Sequence, residues 1–395
     1  MTSVLLLGDY RQSLTIARSL RSRGDRVVAM VSPGGESYLR HCRGVDDLWH
    51  TEQSISDDGF DRSLAEAVST FEVDVVFPVG DGELAWFAED PDRIGVPVAA
   101  PDVGTIRQCH DKQSLLALCT SLGIAHSEGA EVTGLDQLEA VVDELGFPAI
   151  IKPSDPLKRL LKAKAIICRS ADDLDRHLAS WPDDHDALIV QRYVDGPRHN
   201  LYFAAERGQV RGLAEVEILR TDTPDDTGYA VDGVTVEPNP TLVAATEALA
   251  KELKYQGVGC TQFLVSPDGE TSFLELNPRL GANFAVVDRA GLNLVHVAVD
   301  SALGRPIPPL SSRTGVRYAW TTGDFEGLVR AFRDRTIGPR QAVLWVRRLV
   351  ATALRARVHI TWSWRDPMPT LAILWRATIR RGLGRIVGRF TRSRG

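Results

Sequence analysis

The sequence predicts an α/β protein built from a parallel α/β domain, an α+β domain and a basic, mainly helical C-terminal region. Strand and helix patterns alternate through the first hundred residues, which is typical of a parallel sheet with helices on its faces. Further on, two strand patterns flank Pro267-Asp268-Gly269, a turn sequence that predicts a hairpin. The last part of the chain, residues 340–395, is rich in arginine and holds four of the eight tryptophans.

Residues 1–102 are predicted to form the N-terminal domain. Its predicted strands and helices are Val4–Leu7, Ser13–Arg23, Arg26–Val31, Ser63–Phe71 and Asp74–Val79, in the order strand, helix, strand, helix, strand. Gly8–Ser13 follows the first strand, where a nucleotide-binding loop would lie, but it lacks the G-x-G-x-x-G pattern. A structural role for this domain is therefore favoured over dinucleotide binding.

Residues 103–305 are predicted to form the second domain. Its predicted strands are Phe147–Lys152, Ala163–Cys168, Ala187–Tyr193, Asn200–Glu206, Val210–Leu219, Gly259–Val265 and Thr271–Leu276. Its predicted helices are Lys112–Leu122, Leu135–Leu145, Asp172–Ala179, Thr241–Tyr255, Phe284–Ala290 and Leu294–Leu303. A loop rich in Asp, Thr and Gly is expected at Thr221–Gly233, and three prolines predict a linker over residues 306–339.

The composition argues against several classes of protein. With 395 residues, 44% of them hydrophobic, the chain has room for two or three domains. Its five cysteines are scattered and never form a C-x-x-C pair, which argues against a disulfide framework or a zinc site. The N-terminus does not resemble a signal peptide, and no apolar run approaches the roughly 20 residues of a membrane span. A cytoplasmic protein is therefore expected.

Residues 273–279, Phe-Leu-Glu-Leu-Asn-Pro-Arg, carry the clearest functional pattern. Alternate residues of a strand share a face, so Glu275, Asn277 and Arg279 are expected on one side. A carboxylate, an amide oxygen and a guanidinium suit Mg²⁺ held between a protein and a polyphosphate. A solvated strand edge followed by a proline turn is the alternative.

Three other polar residues stand where a phosphate site could use them. Lys152 ends an apolar strand, and a buried lysine is costly unless an anion neutralises it. Lys112 begins a helix, and Gln262 lies on the hairpin strand opposite Glu275, so its amide oxygen could join the same cation. Each of them alone could equally be an ordinary surface or core-edge side chain.

In order and spacing, these residues resemble the ATP-grasp superfamily, which includes biotin carboxylase, carbamoyl-phosphate synthetase and D-alanine–D-alanine ligase. The resemblance covers residues 100–305 and implies a two-lobed ATP-grasp α+β domain, with its small lobe at about residues 130–195. The residues and motifs that carry it are Lys112, Lys152-Pro153, Gln191-Arg-Tyr-Val194, Gln262-Phe-Leu264 and Glu275-x-Asn277-x-Arg279.

The resemblance implies roles for individual residues. The residues implied for ATP are Lys112, Lys152, Lys164, Gln191, Arg192, Val194 and His199, with the adenine bound by Gln191 and by the backbone of Arg192 and Val194. The residues implied for Mg²⁺ or Mn²⁺, as two ions, are Gln262, Glu275 and Asn277. Arg279 and Lys152 are the implied catalytic residues, because cations spread over a transferring phosphoryl group stabilise its charge.

Two features depart from the pattern of the family. Most members have Asp or Glu where this chain has Gln262, although carbamoyl-phosphate synthetases have glutamine there. The flap after Lys152 is often rich in glycine, whereas residues 154–164 contain none. Only basic side chains such as Lys164 could bind phosphate there, and a solvated basic helix is the alternative.

The reaction implied by the resemblance is the ATP-dependent activation of a carboxylate as an acyl phosphate. An amine or similar nucleophile then attacks, so a small-molecule carboxylate and an amine are the implied substrates, and a homo-oligomer is compatible with them. Arg220 is a candidate for binding the acceptor carboxylate, with a solvent-facing arginine as the alternative. A nucleotide-binding sensor or assembly protein without ligase activity is the main alternative function.

The C-terminal region, residues 340–395, is strongly basic. Its thirteen arginines and one acidic residue give +12, so the rest of the chain carries −18 against a total of −6. Helices are predicted at Gln341–Arg357 and Thr370–Phe390, with a short strand over Ile360–Trp364. Arginine beside Trp and Leu suits an anionic membrane surface, as for an envelope-biosynthesis ligase at the inner face of a membrane. Packing on the acidic body or on a partner protein is the alternative, and nucleic acid is disfavoured.

Overall fold

The computed structural model describes residues 1–31, 37–154, 158, 160–161, 165–179 and 187–375. Within these ranges the strands form a parallel sheet, a small antiparallel sheet and a larger mixed sheet. The predicted α/β class and its division into a parallel N-terminal domain and a two-lobed second domain are confirmed.

The N-terminal sheet is parallel, as the alternation of strands and helices predicts. Its strands β1–β4 are Ser3–Leu7, Arg26–Val31, Asp47–His50 and Val75–Pro78, in the order β3-β2-β1-β4. Its helices α1–α3 are Arg11–Arg23, Phe60–Thr70 and Asp81–Glu89. The carboxyl ends of parallel strands share one edge, so the turns that start α1 and α3 lie side by side. There the Tyr10 hydroxyl donates to Glu83 Oε1 at 2.9 Å.

The small lobe is a separate antiparallel sheet with its own apolar core. Helices α4 and α5, Val103–His110 and Lys112–Ser121, lead into it. Its strands β5–β8 are Gly129–Val132, Ala149–Pro153, Ile166–Cys168 and Leu188–Arg192, in the order β5-β8-β6-β7, and its helices α6 and α7 are Leu135–Leu145 and Ala171–Leu178. Leu138, Val142 and Ile151 are fully buried in this core.

The large mixed sheet forms the other lobe of the second domain. Strands β9–β13 are Arg198–Glu206, Gln209–Thr221, Ala230–Val236, Gly257–Val265 and Thr271–Asn277, and helices α8–α10 are Pro240–Glu252, Ala285–Ala290 and Leu294–Ala302. Alternate residues of β9 enter different cores: Leu201 and Phe203 pack with α5 and α8, whereas Tyr202 and Ala204 pack with α9 and α10. Burial of both faces fixes the register of the sheet, because a slip by one residue would exchange them.

Residues 306–339 are not a simple linker. They contain β14, Arg317–Ala319, which pairs antiparallel with β11, and α11, Thr321–Arg333. A strand of three residues is too short to show the alternation of a strand in the sequence. The prolines were therefore the clearest local signal, and they predict a linker. The loop expected at Thr221–Gly233 is also shorter than predicted, because β11 already begins at Ala230.

The C-terminal region packs on the body through helix α12, Pro339–Arg355, and strand β15, Val358–His359. The predicted strand over Ile360–Trp364 is wrong: β15 precedes it and extends the large sheet to β13-β12-β9-β10-β11-β14-β15. Arg18 Nε of α1 donates to Asp366 Oδ2 at 3.0 Å, which ties this region to the N-terminal domain. Residues 368–375 are helical, and the remainder of the predicted last helix lies outside the described residues.

Candidate active site

Three polar side chains form a row across neighbouring strands of the large sheet. Asn200 on β9 is paired in register with Gln262 on β12, and Gln262 is paired with Glu275 on β13. Directly paired residues share a face, so all three project on one side. A bulge lies between the Gln262–Glu275 and Phe263–Phe273 pairs, and it allows Phe273 to face the core while Glu275 faces outward.

Glu275 is exposed at the end of this row, and its carboxylate is oriented by its neighbour. Asn277 Nδ2 donates to Glu275 Oε1 at 2.7 Å. Among the residues that the structure describes, no group of three or more His, Cys, Asp or Glu is arranged to hold a metal ion. A cation here would therefore depend on one carboxylate and amide oxygens, and these hard oxygen donors fit Mg²⁺ when a polyphosphate supplies further oxygens.

Lys152 faces this row from the small lobe, and Lys112 lies near Lys152 at the start of α5. Lys152 lies near the end of β6, within electrostatic reach of Lys112 and Glu275. Lys112 is the first residue of α5, and its Nζ donates to the carbonyl oxygen of Ser154 at 3.4 Å. Two ammonium groups opposite a carboxylate form the charge pattern that a polyphosphate with a divalent cation would complement.

Arg279 is held in place by the N-terminal domain. Its Nε donates to Asp81 Oδ1 at 2.6 Å, and its Nη2 donates to the other carboxylate oxygen at 2.5 Å. Although burial alone would raise the pKa of Asp81, this guanidinium lowers it below its ordinary value. A bidentate pair fixes the guanidinium plane, so Asp81 at the start of α3 sets the direction of Arg279.

The strand end at Gln191–Val194 borders the cleft between the two lobes. Gln191 is half-buried on β8, and the amide of Arg192 donates to the carbonyl oxygen of Glu128 at 2.9 Å. That bond uses the backbone donor of Arg192. An adenine bound at this edge would therefore find its acceptor in the carbonyl oxygen of Arg192 and its donor in the backbone amide of Val194.

A family model described as the carbamoyl-phosphate synthase L chain, ATP-binding domain, matches residues 111–310, about half of the chain. The chain belongs to this family. It is thus a member of the ATP-grasp superfamily. The matched range contains Lys112, Lys152, the strand end at Gln191–Val194 and the Glu275 row.

Several curated relatives share this ATP-grasp region. The chain is 25% identical to human mitochondrial pyruvate carboxylase over 258 residues, which cover 61% of this chain and 22% of that one. It is 27% identical to the carbamoyl phosphate synthase large chain of Myxococcus xanthus over 240 residues, 55% of this chain and 21% of that one. It is 24% identical to the biotin carboxylase of Haemophilus influenzae over 328 residues, 78% of this chain and 71% of that one. The chain thus spans about a fifth of the length of the first two relatives.

Solved structures support the same fold. A biotin carboxylase–βγ-ATP complex from Campylobacter jejuni has a TM-score of 0.64 at 16% identity and covers 80% of this chain and 74% of that one. The ADP complex of purK, an N5-carboxyaminoimidazole ribonucleotide synthetase, has a TM-score of 0.61 at 14% identity and covers 80% of each chain. At these identities the likeness establishes the ATP-grasp fold alone.

His199 does not join the row, although the resemblance implied that it contacts ATP. It is paired in register with Phe263, one residue away from the Asn200–Gln262 pair, so its side chain projects from the opposite face. Its Nδ1 lies 2.6 Å from Glu215 Oε1, and Glu215 Oε2 accepts from the amide of Asn239 at 2.6 Å. Because Glu215 is 1% exposed, His199 is a hydrogen-bond partner of a buried carboxylate.

Arg220 is also occupied elsewhere. Its Nη1 donates to Asp324 Oδ1 at 3.1 Å, its Nη2 pairs with the other oxygen, and Asp324 is 1% exposed. A guanidinium committed to a buried carboxylate is not available to a substrate, so the expected role of Arg220 is not supported. Lys164, the other predicted phosphate ligand, lies outside the described residues.

Sequence reasoning missed four residues: Asn200 in the row itself, Arg198 on the same strand, and Arg11 and Asp81 of the N-terminal domain. Arg198 and Asn200 could have been found, since they alternate on the strand that pairs with Gln262. Arg11 and Asp81 stand at helix starts far away in the chain, and no local pattern indicates that they approach this site.

Lys152 should make ATP binding depend on pH. Burial, with a smaller contribution from the charge of Lys112, lowers the pKa of Lys152 to about 8, and Glu275 only partly opposes this shift. A lysine loses its charge as the pH rises through its pKa, so the Kd for ATP should weaken about tenfold between about pH 7 and pH 9. Calorimetric titration with ATP checks this. Lys152→Arg, which stays charged, should flatten the profile; an equally steep profile in that variant would exclude Lys152 as the titrating group.

Proposed function

We propose that the protein is an ATP-dependent ligase that activates a carboxylate as an acyl phosphate and joins it to an amine. The observation that carries the proposal is the row of Asn200, Gln262 and Glu275 opposite Lys152, with Arg279 fixed by Asp81 beside it. Membership of the carbamoyl-phosphate synthase ATP-binding family and the sequence likeness to biotin carboxylase support it.

The first step transfers a phosphoryl group. A carboxylate oxygen of the substrate attacks the γ-phosphorus of ATP, the bond from that phosphorus to the β,γ-bridging oxygen breaks, and ADP leaves. Lys152, Lys112 and Arg279 would stabilise the charge on the transferring group, which is the main contribution of a protein to this chemistry. Glu275, Gln262 and Asn277 would hold Mg²⁺, as one or two ions, whose charge screens the phosphates.

The second step forms the new bond. The amine nitrogen attacks the carbonyl carbon of the acyl phosphate, inorganic phosphate leaves with the former carboxylate oxygen, and the nitrogen releases a proton. Exclusion of water would protect the acyl phosphate, and the small lobe would supply it by covering the bound ATP. Positioning alone can supply a large share of the rate for such a transfer.

The test is acid-dependent release of ADP. With Mg²⁺, ATP and a panel of carboxylates and amines, ADP should be released above background only with an accepted acid, and hydroxylamine should trap its acyl phosphate as a hydroxamate. Tight ATP binding without ADP release across the panel would favour a nucleotide-binding sensor or assembly protein instead.

We also propose that the C-terminal region docks on an anionic membrane surface. Val343, Val346, Val350 and Leu354 follow each other at helical spacing on α12, and all four are exposed. Arginines at 347, 348 and 355 lie on the same helix. Within the described residues no helix has the length and apolar character to cross a membrane, so contact would be peripheral.

Vesicle co-sedimentation tests this docking. The full chain should sediment with vesicles of phosphatidylglycerol and much less with phosphatidylcholine, because each arginine near an anionic surface contributes about 1 kcal/mol. Val350→Glu with Leu354→Glu should reduce the bound fraction several-fold. Equal binding to both lipids would contradict the proposal. A stable dimer that the double variant dissociates would also contradict it, since the exposed apolar residues of α12 would then form an interface between two copies of the chain.

A further inference from the structure

Several buried polar atoms near the Glu275 row have no hydrogen-bond partner within the described part of the chain. They include Nε of Arg11, Nε of Arg198, Oδ1 of Asn200, Oδ1 of Asn283 and Nε1 of Trp320. Asn200 and Asn283 are each only 5% exposed. An unpaired buried polar atom costs about 1–3 kcal/mol, and folded proteins pair nearly all of them. A concentration of such atoms in one place indicates that a ligand supplies the partners.

Arg11, Arg198 and Asn283 lie around the fully buried Tyr318 of β14, and Trp320 lies against Arg11. Asn283 Nδ2 donates to the Tyr318 hydroxyl at 3.0 Å, and that hydroxyl is within electrostatic reach of both Arg11 and Arg198. The Arg11 guanidinium lies 3.5 Å from the centroid of the Trp320 ring. We refer to Arg11, Arg198, Asn200, Asn283, Tyr318 and Trp320 as the Tyr318 cluster.

The Tyr318 cluster adjoins the phosphate site. Asn200 belongs to both, since it is paired with Gln262 and shares a face with Arg198 two residues earlier. Asn283 follows Arg279 by four residues. A molecule bound in the cluster could therefore place one of its atoms beside the group that Arg279 contacts.

The cluster is cationic. Neither Arg11 nor Arg198 forms an ion pair with any residue that the structure describes. Asp222, an acidic residue within electrostatic reach of Arg11, is bonded to Arg330 Nη2 at 2.7 Å. Both guanidinium groups are half-buried, and a cation partly removed from water without a counter-ion is costly. Guanidinium groups match carboxylate and phosphate oxygens. The asparagine oxygens, by contrast, can only accept, so they call for an N–H or O–H donor.

We propose that the Tyr318 cluster binds the acceptor substrate of the ligase, a small molecule that carries both an anionic group and an amino group. The proposal rests on the proposed ligase function. The anionic group, a carboxylate or a phosphate, pairs with Arg11 and Arg198 and accepts from Trp320 Nε1. The amino group donates to Asn200 and Asn283, which places the nitrogen on the side of Arg279, where the acyl phosphate would form.

Kinetics with the full-length chain test the contact. Arg11→Ala should raise the KM for the acceptor about 10- to 100-fold, with the KM for ATP unchanged, because a charge-assisted hydrogen bond is lost. Trp320→Phe removes the Nε1 donor but keeps an aromatic ring beside Arg11, so it should fold normally and raise the same KM by a smaller factor. Arg21→Ala is the matched control, since Arg21 lies on the same helix in an exposed pair with Asp46. An unchanged acceptor KM in both Arg11→Ala and Trp320→Phe would overturn the proposal.

Direct binding separates this proposal from the ligase function. Calorimetry without ATP would use the twenty standard amino acids as carboxylate probes, and phosphoethanolamine and inorganic phosphate as phosphate probes. Binding of an amino acid or of phosphoethanolamine that Arg11→Ala weakens supports the cluster even if ADP is never released. Binding of inorganic phosphate as tightly as phosphoethanolamine would contradict the role of the asparagines. If an amine is turned over and its binding is unchanged in Arg11→Ala and Trp320→Phe, the ligase function would stand, and the Tyr318 cluster would be excluded as the acceptor site.

Discussion

Replacing Glu275 by alanine should lower acid-dependent ADP release by roughly 100- to 1000-fold, the range found when one preorganised electrostatic group is removed from an active site. Glu275 is the one carboxylate in the row with Asn200 and Gln262, and the paired amides carry no charge. Without it, a divalent cation would have only neutral protein ligands. The rate should therefore fall even at saturating ATP.

The measurement is coupled detection of ADP at several Mg²⁺ concentrations. Glu275→Gln keeps the size of the side chain, so it separates the loss of charge from the loss of volume. Its rate of ADP release should be nearly as low as that of Glu275→Ala. Glu270→Ala on the exposed turn of the same hairpin is the control and should behave as the unchanged chain. Because Glu275 is exposed, the melting temperature should not move. Full turnover in Glu275→Gln would disprove the assignment of the metal site.

Replacing Asp324 by alanine should destabilise the fold by about 3 kcal/mol, because the half-buried guanidinium of Arg220 would keep only a long ion pair, at 3.9 Å from Asp232 Oδ2. Asp324 on α11 accepts from Arg220 of β10 and, at 2.6 Å, from Trp345 Nε1 of α12. These bonds join two C-terminal helices to the large sheet. Urea unfolding should show a lower midpoint for the variant.

Two comparisons sharpen this result. Asp334→Ala removes a carboxylate from an exposed pair with Arg333 at the end of the same helix, and it should leave the midpoint unchanged. Arg220→Met combined with Asp324→Leu removes both charges, so it should cost less than Asp324→Ala alone. A double variant less stable than the single one would show that lost packing, and not the weakly paired charge of Arg220, accounts for most of the destabilisation.

The sequence was most informative where a short period fixes geometry. Glu275 and Asn277 could be placed on one face, and Gln262 opposite Glu275, because strand alternation and a tight turn leave few choices. The face of His199 could not be predicted in this way. It depends on the register between β9 and β12, which are distant in the sequence. Similarity of motif order suggested a role for His199 that the register does not support.

Other features depend on contacts that no local pattern encodes. The pairing of Arg279 with Asp81 joins residues from two domains, and Arg220 finds Asp324 across more than a hundred residues. β14 was hidden because its three residues follow a stretch rich in proline. The expectation of a linker at residues 306–339 failed for this reason, and no pattern in the sequence indicated Trp320 as a site residue.

The pairing of β14 with β11 has a consequence for the order in which the protein is made. Synthesis proceeds from the N-terminus, so β11 is complete while its outer edge still lacks the strand that covers it. An unpaired edge is a template for joining another chain. The edge of β11 stays open until residues 317–319 have been added, and the edge of β14 until residues 358–359 follow. Nascent chains halted between β11 and β14 should therefore be the form of this protein most prone to aggregate and most dependent on chaperones.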